Sequence, residues 1–562
     1  MAGMRWEVLT TDANLMLMSQ VLGIKEATAA VMANRGIRSK NAAIAFLRGI
    51  SATSDILEMK DVKKAFDRMA KGIRNRERIM IYGDYDADGV MSTVILYKAL
   101  RACGADIRYY IPHREEEGYG LNIEAVRMIR ESDHDLIITT DNGISALEEI
   151  AEAAALGMDV VVIDHHEPGF VESDGVRQDV LPKAVAVVDP KQSDCPYPFK
   201  EMCAAGLAFR LAEAFYRYVG RDFSALHDEL LVFAAIATVC DIVDLSGENR
   251  VLVKRGLEVL NANKSINHGL AQLIALRGYM DKPIDTFTIG FVLGPCINAT
   301  GRLESAEISV KLLLEGEQGL AQQLSVLNEE RKNLTRRCTD RVLQKADEQD
   351  DNILVLVDEE THESIAGIVA GKVKEALHRP VIVLTKAAEP GVLKGSGRSI
   401  PAYNMFEGLY ANRDLLLRFG GHAMAAGMSL DARNVPELRE RLNENCNLQE
   451  SDLQGIIHID RELSVEEISL ELAKELGMLA PFGKGNREPM FMTRGMKITN
   501  LRVIKEKNTI IFTFGGLKGI AFGLDDVFSV GMVIDAVYMV ESNTFNGRTS
   551  VQIRVKDYKI RE

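Results

Sequence analysis

The sequence has no Cys-x-x-Cys pair. Its seven cysteines stand apart, at positions 103, 195, 203, 240, 296, 338 and 446. That spacing excludes a zinc finger and a disulfide framework, and it fits a reducing compartment. No uninterrupted apolar run reaches the roughly 18 residues a membrane helix needs. The stretch Met1 to Thr11 lacks the long apolar core that follows a basic patch in a signal peptide. A cytoplasmic location is the expectation. Positive charge is also scarce: 67 Lys and Arg face 81 Asp and Glu, a net charge of -14. On its face that argues against a nucleic-acid binder, but the footprint of such a binder is local.

What is present is ample material for buried cores. The 562 residues are 47% hydrophobic and 26% charged. About three or four domains are expected at that length. Residues up to about 70 read as helical and peripheral, with alanine-rich runs at Thr28 to Met32 and Asn41 to Leu47. Beyond them, short apolar runs alternate with helical stretches. The runs are Ile79 to Tyr82, Ile107 to Ile111, Leu136 to Thr140, Val160 to Ile163 and Ala184 to Val188. This is the pattern of an α/β fold with a mostly parallel sheet buried on both sides. Such sheets place their chemistry at the carboxyl ends of the strands.

Residues 203–280 and Leu303 to about Gln349 read as helices, the latter as a connecting helix, a helix pair or an ordinary hairpin. A second α/β unit opens near 352, with strands at Ile353 to Val357 and Val381 to Leu384, and turns helical after Pro401. From about 455 short β-like runs, such as Ile510 to Phe514 and Met532 to Val540, suggest a small barrel. Between Lys484 and Lys518 eight Lys and Arg face two acidic residues, Glu488 and Glu506. That is either a local basic patch or a solvated face.

The strongest signal is Gly83-Asp84-Tyr85-Asp86-Ala87-Asp88-Gly89, between a strand and a helix. Three carboxylates at alternate positions on one loop repel unless a hard cation neutralises them. A calcium loop is the rival, but its twelfth position counted from Asp84 is Ile95 rather than glutamate, and a strand rather than a helix leads in. Thr140-Asp141-Asn142-Gly143 and Asp164-His165-His166-Glu167 again follow strands, and Cys240-Asp241-Ile242-Val243-Asp244 ends a helical run. One acidic strand end means little. Parallel strands bring three of them to one edge, and carboxylates with imidazole suit manganese, with magnesium as a substitute.

These motifs resemble the DHH phosphoesterase family, and within it the bacterial single-stranded-DNA exonucleases. The resemblance extends through Pro295-Cys296-Ile297-Asn298-Ala299, Gly301-Arg302-Leu303, Gly367 to Ala370, His378 to Leu384, Lys394 to Ile400, Phe419 to Gly427 and Ala480 to Asn486. It implies a parallel-sheet DHH catalytic domain joined by helices to a smaller DHHA1 α/β domain, followed by an oligonucleotide-binding (OB-fold) β-barrel. The expected boundaries are a helical segment 1–70, the catalytic domain 71–250, a helical and connecting part 251–350, DHHA1 351–450 and the barrel 451–562.

The resemblance also implies roles. Asp86, Asp88, Asp141, His165 and Asp241 are its metal ligands, for Mn2+, two per site, or Mg2+. Asp141 is shared or flanks the pair, and Asp84 joins the ligands or holds a metal-bound water. His166 faces the phosphate and assists catalysis, while Asp164 orients a histidine or caps the loop. Asn298, Arg302, Ser396, Arg398, Gly420, Gly421 and His422 bind substrate. Either arginine has a plainer alternative as a domain-interface salt bridge, and His362 is a weaker phosphate candidate. Phe482, Phe491, Phe512, Phe514 and Phe522 are stacking candidates by residue type. The family commonly has histidine where Tyr82 stands, arginine at Cys296 and an aromatic residue at Thr361, and none of these departures removes a proposed ligand.

The activity so implied is hydrolysis of single-stranded DNA from its 5′ end to mononucleotides, in recombination and repair. A helicase and a single-strand-binding protein are the partners to expect. The rivals are a DHH phosphodiesterase for short oligonucleotides or a nucleotide messenger, which needs no barrel, and an inactive DNA-binding scaffold, which would have lost ligands.

Overall fold

The structure is a computed structural model that describes residues 4–50, 54–173, 176–504, 509–523, 528–545 and 547–561. The chain divides into two compact units. One comprises residues 56–240 and 260–455, the other 1–55, 241–259 and 456–562. These lines differ from the boundaries expected from sequence. The first 70 residues split between the units, because helices Glu26–Asn34 and Lys40–Arg48 share a core with the barrel while Val62–Asn75 packs on the catalytic sheet.

The larger unit holds two sheets. The first is fully parallel, in the order Asp106–Tyr110, Arg78–Tyr82, Leu136–Thr140, Asp159–Ile163, Ala186–Val188. Its inner strands are apolar on both faces because helices cover both, whereas the edge strand Asp106–Tyr110 buries only Ile107 fully. Met80, Ile137 and Val160 meet Val126, Ile129 and Ile150 on one side. The Ala87–Ala102 helix packs against Ala204–Tyr218 and Ser224–Cys240. The first strand has the second on one side and the third on the other. The chain therefore changes direction between Arg78–Tyr82 and Leu136–Thr140, and a crevice opens beyond their carboxyl ends.

The stretch from Leu303 holds two helices, Glu307–Glu315 and Leu320–Ala346, and the second carries the chain onward. Its 27 residues span about 40 Å. Of the readings for this stretch, the helix pair is what the structure contains. The last turns of Leu320–Ala346 supply Cys338 and Val342 to one face of the second sheet, with Ile365 and Val369. The alternate residues of the same strands, Val355, Ile382 and Leu384, meet Met405, Leu409 and Leu438 on the other face. The strand order is Leu416–His422, Ala425–Asp431, Val392–Arg398, Val381–Lys386, Leu354–Val357. The region after Pro401 is thus not helical throughout, as its alanines and leucines suggested. It contains a hairpin, pairing Gly420 with Gly427 and Gly421 with Ala426. Three glycines in so short a stretch disfavour a helix, and Ala426 and Gly427 let this strand lie flat against Gly397 and Ser396.

In the other unit a seven-stranded sheet curls around Phe491, Phe512, Phe514 and Tyr538. Strand Arg5–Val8 pairs with Ile456–Ile459. Phe491, Phe512 and Phe514 are buried core residues, Phe482 is half-buried against that core, and Phe522 is exposed. Of the stacking candidates only Phe522 keeps an open face. Lys505 and Lys507 of the basic stretch lie outside the described residues. No single helix among the described residues is long and apolar enough to cross a membrane.

Candidate active site

The loop after Arg78–Tyr82 is folded tightly enough to exclude side chains at both its glycines. A Cβ on Gly83 would lie 2.0 Å from Thr93 Oγ1, and one on Gly89 would lie 2.5 Å from the Asp84 carbonyl. Asp86 caps the Ala87–Ala102 helix, accepting from the N–H groups of Asp88 and Gly89 at 2.9 and 3.1 Å. Asp88 sits in the first turn and accepts from Ala204 and Ala205 at 2.7 and 2.8 Å. Those N–H groups open another helix, so its dipole favours the charge. Asn298 Oδ1 accepts the Ala87 N–H at 2.7 Å. This atom of Asn298, expected on the substrate, is used to hold the loop.

Asp141 follows the next strand with φ at +64°, a left-handed conformation that few residues besides glycine, Asn and Asp adopt. Gly143 leaves room beside Thr139, whose Oγ1 a Cβ would meet at 2.4 Å. His165 Nε2 lies 3.1 Å from Asp141 Oδ1 and 3.6 Å from Asp88 Oδ2. Asp164 is turned the other way. It accepts from the Ile144 N–H at 2.9 Å, the His165 N–H at 2.8 Å and His166 Nδ1 at 2.8 Å. Orienting the loop and one histidine, rather than ligation, is what its geometry does.

Within the larger unit two groups of donor atoms lie close enough to share an ion: Asp84, Asp86 and Asp141, and Asp141, His165 and His166. Asp141 belongs to both. The donor set fits a divalent cation. Asp84 Oδ1 is buried and has no hydrogen-bond partner. Burial, then the charge of Asp86, raises the Asp84 carboxyl well above its ordinary range. The same two causes push Asp88 up to about 6. Burial, then His166, lowers His165 to about 3, so its imidazole is neutral and able to ligate. Burial works against the Asp164 charge, but the hydrogen bond from His166 and the nearby imidazoles outweigh it and hold the carboxyl below its usual value. Asp241 directly follows Cys240, the last residue of the Ser224–Cys240 helix that packs on the Asp88 helix.

Beside the carboxylates a cleft of about 530 Å³ opens between the two sheets, lined by Tyr85, Arg114, Tyr119, Arg302, Ser396 and Arg398. Arg302 donates to the Ser364 carbonyl at 2.6 Å, and Arg398 to Ser396 Oγ and the Gly397 carbonyl, both at 2.8 Å. Arg114 lies over the Tyr85 ring at 4.8 Å. Burial, then Arg114, lowers Arg302 to about 10, and the same causes lower Arg398. Among the described residues none of these three guanidiniums forms an ion pair, so the salt-bridge alternative for Arg302 and Arg398 is not what the structure contains. Two glycines make the cleft possible. A Cβ on Gly301 would lie 2.3 Å from the Tyr85 carbonyl, and one on Gly367 would lie 2.6 Å from Arg398 Nη2.

Gly420, Gly421 and His422, expected to bind substrate, are not among the residues that line the cleft. They are exposed at the end of their strand, while Arg418 and Phe419 of the same strand line the cleft. His362 caps the Glu363–Leu377 helix and pairs with Glu115 at 3.1 Å. The three departures from the family pattern are absorbed locally. Tyr82 donates to the Gly120 carbonyl at 3.0 Å, Cys296 to the Val292 carbonyl at 3.2 Å and Thr361 to Asp358 at 2.6 Å.

Sequence reasoning missed three residues of this region. Tyr119 donates to the Asp141 carbonyl at 3.0 Å and stands 3.2 Å from His166 Nδ1. The flanking Gly118 and Gly120 were its signal, both with positive φ. Arg114 precedes them on the loop after a strand. Asp189 directly follows the strand Ala186–Val188, and burial, then Asp164, pushes it up to about 8.

Comparisons with known proteins agree with this geometry. The DHH family N-terminal domain matches residues 78–238, the DHHA1 domain 350–448 and the RecJ OB domain 459–557. The single-stranded-DNA-specific exonuclease RecJ of Bacillus subtilis is 38% identical over all of this chain and 71% of its own length. The crystal structure of RecJ in complex with Mn2+ from Thermus thermophilus superposes with a TM-score of 0.85 at 29% identity, covering 99% of this chain and 80% of that one. An exonuclease RecJ bound to manganese is 35% identical, with a TM-score of 0.58 over 69% of this chain and 94% of its own.

Proposed function

The chain belongs to the RecJ family of single-stranded-DNA-specific exonucleases, and from that premise we propose that it removes mononucleotide 5′-phosphates from single-stranded DNA in the 5′-to-3′ direction. Mn2+ is its metal, two ions per site, with Mg2+ as the alternative. The observation that carries the reading is the shared position of Asp141, common to both donor groups at the switch point, with its carbonyl held by Tyr119, which lines the arginine-bearing cleft.

Asp84, Asp86 and Asp141 would hold one ion, and Asp141, His165 and Asp88 with Asp241 would hold the other. When bound, the ions polarise the phosphodiester and lower the pKa of a coordinated water. The remaining work falls to the chain. Arg302 and Arg398 bind the phosphate oxygens by charge-assisted hydrogen bonds, with Ser396 beside them. Asn298 fixes the loop of the first carboxylates. The Asp164 carboxylate accepts a hydrogen bond from Nδ1–H of His166, which leaves Nε2 as the basic nitrogen for a proton transfer at the phosphate. The exposed Gly420-Gly421-His422 turn contacts the strand outside the cleft. The barrel, with its exposed Phe522, adds a stacking surface for single-stranded DNA.

The work is repair and recombination in the cytoplasm, in keeping with seven free thiols. A helicase supplies unwound strands and a single-strand-binding protein presents them. The test is a strand of about 50 nucleotides labelled at either end, with Mn2+, beside duplex and oligonucleotides of about two to five residues. Release of mononucleotide from the 5′ label, with duplex spared and Asp141→Asn silent, establishes the activity and polarity. Cleavage confined to the short oligonucleotides would replace it with a short-oligonucleotide phosphodiesterase.

A further inference from the structure

A group of aromatic side chains continues outward from the wall of the cleft. Phe419 lines the cleft itself, as does Arg418. The Phe419 ring lies 5.8 Å from Phe406 and 6.3 Å from Tyr410. Phe406 and Tyr410 stand one turn apart on the Met405–Ala411 helix, with ring centroids 6.2 Å apart and planes within 26°. The Arg413 guanidinium covers the far end, 4.6 Å from the centre of the Tyr410 ring.

Packing alone does not account for this group. Tyr410 is 52% exposed, and Phe406 and Phe419 are only half-buried. Arg413 and Arg418 are exposed, and neither forms an ion pair among the described residues. The neighbouring carboxylate, Asp414, is taken up by Arg441 at 2.9 Å. Glu407 lies roughly 100° around the helix from Phe406. The surface therefore combines exposed aromatic rings with positive charge and is continuous with the arginine-lined cleft. Aromatic rings interleaved with arginines suit nucleobases of any sequence, because every base has a π-face.

We propose that Phe419, Phe406 and Tyr410 form a stacking track for the nucleobases at the end of the DNA strand held in the cleft, with Arg413 and Arg418 on its phosphates. The inference rests on the exonuclease reading of the site. A phosphate clamp alone holds any phosphorylated end. The track adds recognition of the bases the end carries.

The test uses the full-length protein and a strand with phosphorothioate linkages at its ends, which binds without being degraded. 2-Aminopurine at the terminal position reports stacking by loss of fluorescence. Strong quenching is expected with the parent protein and with Tyr410→Phe, and its loss with Tyr410→Ala and Phe406→Ala. On cleavable strands Tyr410→Ala should raise KM about tenfold. The gap from the parent should close when the terminal nucleotides are abasic. Unchanged quenching in both alanine variants would overturn the track. So would a KM defect that persists on abasic ends, which would mark a structural lesion. A parent protein that quenches 2-aminopurine yet cleaves nothing would refute the exonuclease reading and leave the stacking surface standing.

Discussion

His166 Nδ1 lies 2.8 Å from Oδ1 of Asp164, a carboxylate that also accepts the N–H of Ile144 from the neighbouring strand's loop. The imidazole is thereby fixed in ring orientation and in tautomer. Asp164→Asn should lower kcat by about a hundredfold, the lower range for a general acid or base. Mn2+ binding, read by calorimetry, should survive. His166→Ala should cost as much, and the double variant little more, because the two residues act as one unit. Additive losses would show that Asp164 contributes separately from the histidine.

The buried site also sets a pH dependence in the metal-free protein, and its two parts oppose each other. Asp88 has a folded pKa of about 6, above its ordinary 3.8. The folded state holds that proton longer than the unfolded one, so Asp88 removes stability as pH rises from 3.8 to 6. Asp84, also raised, acts in the same sense. His165, lowered from 6.5 to about 3, does the reverse and adds stability as pH rises through that window. With EDTA present, Tm of the parent should change little between these pH values. His165→Asn removes the compensating group, and its Tm should fall with rising pH. Saturating Mn2+ should restore it, since the ion takes the place of the protons. A His165→Asn Tm that climbs with pH would contradict the assignment.

Much of the catalytic sheet was legible in the sequence because its central strands are largely apolar runs that lead into carboxylates, with glycines beside them at Gly83 and Gly143. Leu136–Thr140 begins and ends where its residues say. The Leu416–His422 and Ala425–Asp431 hairpin was not, because Leu, Met and Ala carry no strand signal, and only pairing with Val392–Arg398 makes them strands. Tyr119 was missed for a related reason. Its value depends on His166 and Asp141, which lie 47 and 22 residues away and meet it only through the sheet order. Spacing along a chain shows what one loop holds, and the switch point decides which loops meet.

The cleft arginines predict a salt signature. Removing one phosphate-neutralising charge from a single-stranded complex should make the slope of log affinity against log salt shallower by about 0.7. Arg398→Ala and Arg302→Ala should each show that change, measured on an uncleavable strand, with KM raised more than kcat is lowered. Arg302 also carries the Ser364 carbonyl bond, so its variant should lose Tm as well. An Arg398→Ala protein with the parent's salt slope would remove that residue from the phosphate.

Gly301 offers a case where two physical effects point in opposite directions. It lies inside the Gly294–Leu303 helix, where alanine in place of glycine ordinarily stabilises by about 1 kcal/mol. Yet a Cβ there would stand 2.3 Å from the Tyr85 carbonyl and 3.0 Å from the Tyr85 Cβ. Backbone cannot yield as a flexible side chain does, so the helix and the loop must separate. Asn298, one turn earlier, would then release its 2.7 Å hold on the Ala87 N–H, and Asp86 and Asp88 would shift together. Overpacking of this kind costs about 1 to 3 kcal/mol, enough to outweigh the helix term. Gly301→Ala should therefore have a lower Tm, weaker Mn2+ binding and a kcat reduced at least tenfold. A raised Tm with intact metal binding would mean that the loop has slack, and that its carboxylates are held in place by Ala204 and Ala205 alone.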